Sequence, residues 1–266
     1  MLQRYPKLEY VVMDGGSTDG SVSVLDRYRR HFHHFESAKD QGQADAIRRG
    51  FEHTSGEIMA YLNSDDLLAP ETLYTVAQFF TQNPQVDCLY SHRCAIDASN
   101  RVIWYWHLPP HSNYLMRRWD LIPQETCFWR RSLYERAGAI DPSYRFAMDY
   151  DLFVRFMRKG RLQRIDRFLG AFRQHPEAKT STQIDDIGAK EIQRVWHTYG
   201  LRPRRWDPVV GPAFERIVQI RSFVFAETGK RRPGVRPGVG YSYDQLWAGQ
   251  LADPRIPPVD HSRFDE

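Results

Sequence analysis

Four short stretches of this chain carry residue types and spacings that could do chemistry. An apolar run from Ile58 to Leu62 ends abruptly in Asn63-Ser64-Asp65-Asp66. In a parallel sheet, ligands bind just beyond the carboxyl ends of the strands. Two carboxylates there can hold a divalent cation that bridges phosphate oxygens and takes up charge on a leaving diphosphate. Asp66, ahead of Pro70, would equally cap a helix, and adjacent carboxylates can divide the two tasks. A second apolar stretch, Leu8 to Met13, runs into Asp14-Gly15-Gly16-Ser17-Thr18-Asp19-Gly20. The Asp14 carboxylate could accept a hydrogen bond from a base or a ribose, and Gly15-Gly16 lets backbone approach a ligand closely. A tight strand-to-helix turn would use the same residues. In Met148-Asp149-Tyr150-Asp151 two carboxylates begin a helix, where negative charge is stabilised in its own right. Asp149 is a candidate general base for an acceptor hydroxyl. Arg173-Gln174-His175 follows the last apparent strand, and a neutral imidazole there could complete a metal shell or simply face solvent. Two acidic strand exits together suggest a site for a nucleotide and a metal.

The elements that must position these residues alternate. Residues 8–13 read as a buried strand bounded by Pro6 and Gly15, and a helix capped by Thr18 or Asp19 runs to about Arg30. A short strand over 32–37 follows. Residues 43–53 form an amphipathic helix with Ala44, Ile47 and Phe51 on one face, and a strand over 57–62 comes next. Alternating strands and helices predict an α/β fold with crossover helices. A helix over 70–82, strands over 86–91 and 101–106 with a turn at 97–100, a short strand over 127–129 and a helix over 132–137 continue the series. A helix over 149–159 and a final strand over 164–172 close it. Helices over 186–199 and 212–228 form an extension, and 229–240 reads as an Arg/Pro/Gly-rich linker. The resulting division is 1–182, 183–228 and 229–266.

The 266 residues are 41% hydrophobic and 14% aromatic, enough for a substantial core, with a net charge of +4. No dense basic stripe interleaves with aromatics, so nucleic acid is not the expected partner. Cys88, Cys94 and Cys127 make no CxxC pair, which argues for a reducing compartment and against a zinc or disulfide framework. No apolar run reaches the ~18 residues of a membrane span, and no signal peptide is visible. The expectation is a cytoplasmic protein. Arg202, Arg204, Arg205 and the arginines of 231–236 allow a peripheral contact with the inner face of a membrane, and a homo-oligomer is left open.

In this order, these residues resemble the family 2 glycosyltransferases of the GT-A fold from Tyr5 to about Thr182. Val12-Met13-Asp14-Gly15-Gly16-Ser17-Thr18-Asp19-Gly20-Ser21 is close to the family's nucleotide-binding strand exit. Asp40-Gln41-Gly42-Gln43-Ala44-Asp45-Ala46-Ile47, then Gly50-Phe51, looks like its next segment. Leu62-Asn63-Ser64-Asp65-Asp66 resembles its metal-binding DxD element. Phe128-Trp129-Arg130-Arg131-Ser132-Leu133-Tyr134, then Gly138 and Asp141-Pro142, looks like the acceptor-side half. Ala147-Met148-Asp149-Tyr150-Asp151-Leu152 matches the segment of the catalytic base, and Phe172-Arg173-Gln174-His175 the late metal or diphosphate contact.

The resemblance implies a GT-A-type, Rossmann-like, mainly parallel mixed sheet flanked by helices. It implies an inverting, metal-dependent transfer of sugar from a nucleotide-diphosphate donor, a UDP-sugar first, to a glycan or lipid-linked acceptor in polysaccharide or glycoconjugate assembly. Asp14, with Gly15 and Gly16, would bind the base. Asp45 and Arg48 would lie near the donor, as would Asn63. Asp65, Asp66 and His175 would hold Mn2+ or Mg2+, and Asp149 would take the acceptor proton. The sequence departs from the family in three places. Asn63 stands where the first acid of the DxD element is usual, its amide oxygen still able to ligate. Met148 stands where a glutamate usually precedes the base. A first strand, loop and helix, on the scale of a βαβ unit of about 30 residues, are expected before Tyr5 and are absent. A non-catalytic truncated remnant, or another metal-dependent nucleotide or phosphate enzyme, are the competing expectations.

Overall fold

The computed structural model describes residues 3–201, 212–214, 216–222, 247 and 262. The expected linker over 229–240 and the basic positions 202, 204, 205 and 231–236 lie outside the described residues.

Strand β1 (Val11–Asp14) leads through helix α1 (Ser21–Tyr28) and a 3-10 turn (Arg29–His31) to β2 (His34–Ser37). These two strands pair in parallel, with Asp14 opposite Ser37, and form a two-stranded sheet of their own. Helix α2 (Gln43–Glu52) begins after Gly42, whose φ of 116° suits glycine, and buries Ala44 and Phe51. Gly50 brings it against β1: a Cβ there would stand 3.1 Å from the Met13 side chain.

The second sheet has six strands. β3 (Ile58–Met59) and β4 (Leu67–Leu68) flank the acidic turn, and helix α3 (Thr72–Gln82) leads to β5 (Cys88–Ile96) and β6 (Val102–Trp106). Helix α4 (Asn113–Met116), β7 (Phe128–Arg130), helices α5 (Arg131–Ala137) and α6 (Met148–Lys159) and β8 (Leu162–Arg173) follow. The strand order is β3-β7-β5-β8-β4, with β6 beside β5. One edge of β5 is shared: its first residues pair with β7 and its last with β6. β8 runs parallel along the other edge, from Cys88↔Leu162 to Ile96↔Arg173.

A mixed sheet flanked by helices is present, as expected. Its parallel share is smaller than the alternation suggested. Among the described residues only β1–β2 and β5–β8 pair in parallel, and β3–β7, β4–β8, β5–β6 and β5–β7 are antiparallel. Parallel pairs need a long crossover, whereas β5 and β6 are joined by a tight turn over 97–100, with Asn100 at φ 60°.

Side-chain alternation along β5 divides the core between two faces. Leu89, with Phe128 and Leu169, packs under Val76 and Phe80 of α3. Cys88 and Tyr90, with Trp129, pack under Leu152, Phe153 and Phe156 of α6. Trp129 is fully buried, its ring edge-on to Phe51 and tilted against Phe156. Short helix α7 (Lys179–Thr182), a π-turn (Ile184–Gly188) and helix α8 (Ala189–Tyr199) follow β8. Val195 of α8 is buried in the same core as α6, and the Trp196 indole donates to the Tyr150 hydroxyl at 3.1 Å. Residues 212–214 and 216–222 are helical, and Phe214 stacks on Trp119.

Candidate active site

The acidic turn is folded by its own backbone. The Asp66 N–H donates to the Asn63 carbonyl at 3.2 Å, and the chain then enters β4. β4 pairs with the end of β8, Leu67 opposite Ala171. That pairing carries the residues after β8 back over the turn. There His175 Nε2 lies 3.0 Å from Asp65 Oδ2, both partly exposed. Arg173 fastens the arrangement. Its N–H donates to Asp66 Oδ1 at 2.9 Å, and its guanidinium donates to the carbonyls of Asp65 and Asp97 and to Asn100 Oδ1.

The two aspartates have different surroundings. Asp66 is buried, its Oδ1 accepting from Arg173 N–H and its Oδ2 from the Asn63 amide at 3.2 Å. Burial, then the Glu125 charge, pushes its carboxyl up to about 7. Glu125 forms a bidentate pair with Arg93, at 2.9 and 2.8 Å, and the guanidinium lies between the rings of Trp106 and Phe172. Asp65 and His175 are the pair presented outward. An octahedral Mg2+ with bonds of about 2.1 Å sets neighbouring ligand atoms about 3 Å apart. Asp65 and His175 are hydrogen-bonded to each other at a similar spacing, and a carboxylate with an imidazole could turn together to such a cation. Asp66 does not join them in a three-ligand group among the described residues.

Asn63 is the centre of a hydrogen-bonded row. Its Oδ1 accepts from Gln43 Nε2 at 2.6 Å, and its amide nitrogen donates to Asp66 and to Gln124 Oε1. Gln124 in turn donates to the Tyr61 carbonyl at 2.6 Å, and Lys179 Nζ donates to Gln43 Oε1 at 2.6 Å. The row joins α2, the acidic turn, the loop before β7 and α7.

Asp14 ends β1. Its Oδ2 accepts from the N–H groups of Gly16 and Ser17 and from the Ser37 hydroxyl at 2.6 Å. These hydroxyl and amide donors, Ser17 foremost, hold its carboxyl down to about 2. Gly15 and Gly16 form the loop beyond it, Gly16 at φ 83° and close against the backbone of Lys39. No contact of Asp14 with the Asp65 turn is seen among the described residues. On α2, Asp45 is buried and pairs with Arg48 at 3.2 Å, and Arg48 also pairs with Glu52.

Asp149 lies in the first turn of α6, its carboxylate accepting from the Tyr150 N–H. Burial raises its carboxyl above the usual range. Asp120 is raised well above that range by burial and then by the charge of Asp149. The Tyr61 hydroxyl is buried without a hydrogen-bond partner and feels Asp149 most strongly among nearby charges. Met148 precedes Asp149, and a carboxylate reaches the start of α6 from Glu191 of α8. It accepts from the N–H groups of Arg145, Phe146 and Ala147 at the start of α6. Asp151 is occupied structurally by Arg155 at 2.6 Å and the Tyr199 hydroxyl at 2.8 Å.

Sequence reasoning missed Asp120, Glu125, Arg93, Lys179 and Glu191. Asp120 sits in a loop and Glu125 in a single 3-10 turn (Gln124–Thr126), neither with a period to detect, and the partners of Glu191 are more than forty residues away. Lys179 had one available signal, its place four residues beyond His175 on the same strand exit.

Two further groups have ligand-like spacing, His34/Glu36/His53 and His92/His107/Asp166. The rings of His34 and His53 are stacked at 3.6 Å, and Glu36 is paired with Arg49. His92 Nδ1 accepts from the Leu108 N–H, so its proton sits on Nε2 and faces Asp166 at 2.7 Å. The second group is hydrogen-bonded within itself, and in the first Glu36 is engaged by Arg49 while His34 Nε2 is buried without a hydrogen-bond partner.

The fold and sequence have recognisable relatives. A PGL/p-HBAD biosynthesis glycosyltransferase of Mycobacterium bovis is 29% identical over 153 residues, 55% of this chain and 57% of the relative. An uncharacterized glycosyltransferase of Mycobacterium tuberculosis is 24% identical over 159 residues, 58% of this chain and 59% of the relative. The chain thus spans under two thirds of the length of these relatives. In fold it is similar to Staphylococcus aureus TarS 1-349 in complex with UDP-GlcNAc, with TM-score 0.56 and 18% identity over 73% of this chain and 58% of that one. It is also similar to the mannosyltransferase PcManGT of Pyrobaculum calidifontis in complex with GDP-Man and Mn2+, with TM-score 0.56 and 18% identity over 98% and 71%. Residues 1–140, more than half of the chain, match the profile described as glycosyl transferase family 2, and to that family the chain belongs.

Proposed function

We propose that this chain is an inverting glycosyltransferase that moves a sugar from a nucleoside-diphosphate donor to a hydroxyl of a glycan or lipid-linked acceptor. One contact supports it above the rest: β8 returns His175 to hydrogen-bond Asp65 at 3.0 Å beyond the exit of β3, which sets an imidazole beside a carboxylate where a diphosphate-bound metal would be held. The TarS and PcManGT structures hold UDP-GlcNAc and GDP-Man, which favours a nucleotide-sugar donor and makes UDP and GDP the probes of choice.

In this reading Asp14 and the Gly15-Gly16 loop receive the base and ribose. Asp65 and His175 hold Mn2+ or Mg2+, which when bound supplies Lewis-acid stabilisation of the leaving diphosphate. Asp66, Asn63 and Arg173 fix the turn. Asp45 and Arg48 brace the helix whose first residue, Gln43, reaches the turn. Asp149 takes the proton of the acceptor hydroxyl as that oxygen attacks the anomeric carbon. The bond from that carbon to the diphosphate oxygen breaks, and the electron pair leaves with the nucleoside diphosphate. One displacement inverts the anomeric centre, through an oxocarbenium-like transition state. A carboxyl raised by burial is a better proton acceptor at neutral pH than a fully solvated one. The acceptor belongs to surface polysaccharide or glycoconjugate assembly. No helix among the described residues is long and apolar enough to cross a membrane.

Asp149→Asn tests the assignment. Transfer should fall by about two to four orders of magnitude, while binding of UDP or GDP with Mn2+, read by calorimetry, stays within about threefold of wild type. Transfer at the wild-type rate would remove Asp149 from the mechanism.

A further inference from the structure

We infer that Lys179 is a ligand of the donor's diphosphate, a fixed cation that shares with the metal the neutralisation of the leaving group. The inference rests on the donor-site reading above.

Lys179 is the first residue of α7, four positions past His175. Its ammonium donates to Gln43 Oε1 at 2.6 Å and to the Arg145 carbonyl at 3.4 Å. Gln43 donates onward to Asn63 at 2.6 Å, so the ammonium is two side-chain hydrogen bonds from the turn that carries Asp65. Burial lowers the lysine's hold on its proton, and Asp149, then Glu191 and Asp40, partly restore it.

Two arginines near the turn are already matched by carboxylates. Arg93 is clamped on the Glu125 carboxylate, and Arg48 pairs with Asp45 and Glu52. The Arg173 guanidinium has neutral acceptors alone, but three of them fix it in place against the turn. Lys179 also donates only to neutral acceptors, an amide and a carbonyl, but its side chain is exposed, where an anion can reach it. A cation with neutral partners alone gains more from an arriving anion than one already paired with a carboxylate. Lysine suits this task, since its ammonium is a point charge on a flexible stem that can follow a phosphate as it departs. The neutral Asn63 works in the same direction. With no carboxylate at that position, the turn presents less negative charge to the diphosphate, and one lysine with one divalent ion can balance it.

The test compares diphosphates with monophosphates. The affinities of UDP and UMP, and of GDP and GMP, are measured by calorimetry in Mn2+ and in EDTA for the full chain, Lys179→Met and Lys179→Arg. Loss of one charge-assisted bond should weaken diphosphate binding in Lys179→Met about tenfold or more. The monophosphate affinity should stay within about twofold, and Lys179→Arg should keep most of the diphosphate preference. In EDTA the wild type should retain weakened diphosphate binding that Lys179→Met loses. An unchanged diphosphate-to-monophosphate ratio in Lys179→Met would overturn the role of Lys179 while leaving the donor site standing. Equal loss of all four nucleotides in Lys179→Met, with Lys179→Arg no better, would make the lysine a strut for α7 and also overturn it. A wild type that binds none of the four would remove the donor reading itself, and the lysine's role with it.

Discussion

Glu9 shows how a single carboxylate can hold two segments of this fold together. Its Oε2 accepts from the N–H groups of Ser55 and Gly56, and its Oε1 from the Ser55 hydroxyl at 2.6 Å. It thereby ties the approach to β1 to the turn before β3, the two strands whose exits carry Asp14 and Asp65. The Ser55 hydroxyl and amide lower its carboxyl from 4.5 to about 2. A carboxylate depressed in the folded state adds stability above its unfolded pKa and loses it as pH falls toward the folded one. Here that window runs from 4.5 down to about 2. Glu9→Gln should therefore lower the unfolding midpoint at neutral pH by an amount equivalent to about 1 kcal/mol, since the site is open to solvent and screened. The difference from wild type should shrink through the acid window and vanish near its lower end. A pH series of thermal unfolding curves reads this directly, and a difference that stays constant across that window would refute the assignment. Asp66 has the opposite sign. Raised to about 7 by burial, it costs stability when ionised, consistent with a carboxylate placed to shape the turn.

The end of β8 sets the geometry of the turn, and its tolerance is small. Gly170 lies where two backbones approach: a Cβ would stand 2.7 Å from the Glu125 carbonyl and 3.0 Å from that of Leu67. Neither is the end of a flexible side chain. Gly170→Ala should push β4 and the loop before β7 apart, at a cost of about 1–3 kcal/mol. It should also weaken Mn2+-dependent nucleotide binding, because β4–β8 pairing delivers His175. Unfolding curves and calorimetry on one variant measure both effects, and a neutral substitution would show that the strands have slack. This delivery could not be read in the sequence. The long elements were legible: α2, α3 and α6 from helical spacing, and β5 and β6 from β-rich runs around a turn. β4 is two residues long, directly after Asp66, with no period to detect. The sharing of β5 between β6 and β7 is tertiary, as is the capping of α6 by Glu191. The acidic pair was visible as a motif, but the split between an outward Asp65 and an inward Asp66 depends on Arg173 and Glu125, distant in the chain. Asn63 stood out as a departure. Its place at the centre of a polar row appears only when Gln43 and Gln124 are brought beside it.

The sheet that carries Asp14 and the sheet that carries Asp65 share no strand-to-strand hydrogen bonds among the described residues. What joins them is α2, packed on β1 through Gly50 and reaching the acidic turn through Gln43, together with the Glu9 clasp. A donor whose base rests at Asp14 and whose diphosphate rests at Asp65 would add a third link, running across both sheets. Ligand binding should then stabilise the molecule globally and protect both sheets together. At a hundredfold its dissociation constant, UDP or GDP with Mn2+ should add about 2.7 kcal/mol. For a chain of this size that raises the unfolding midpoint by several degrees, at about 2–4 °C per kcal/mol. Hydrogen exchange should slow in β1 and in the β4–β8 pairing in parallel. Asp65→Ala should abolish the metal-dependent part of the rise and of the protection at β4 and β8, while leaving a weaker, metal-independent protection at β1. Protection of one sheet alone in the wild type would mean that the ligand occupies only one of the two strand exits, and the proposed donor orientation would fall.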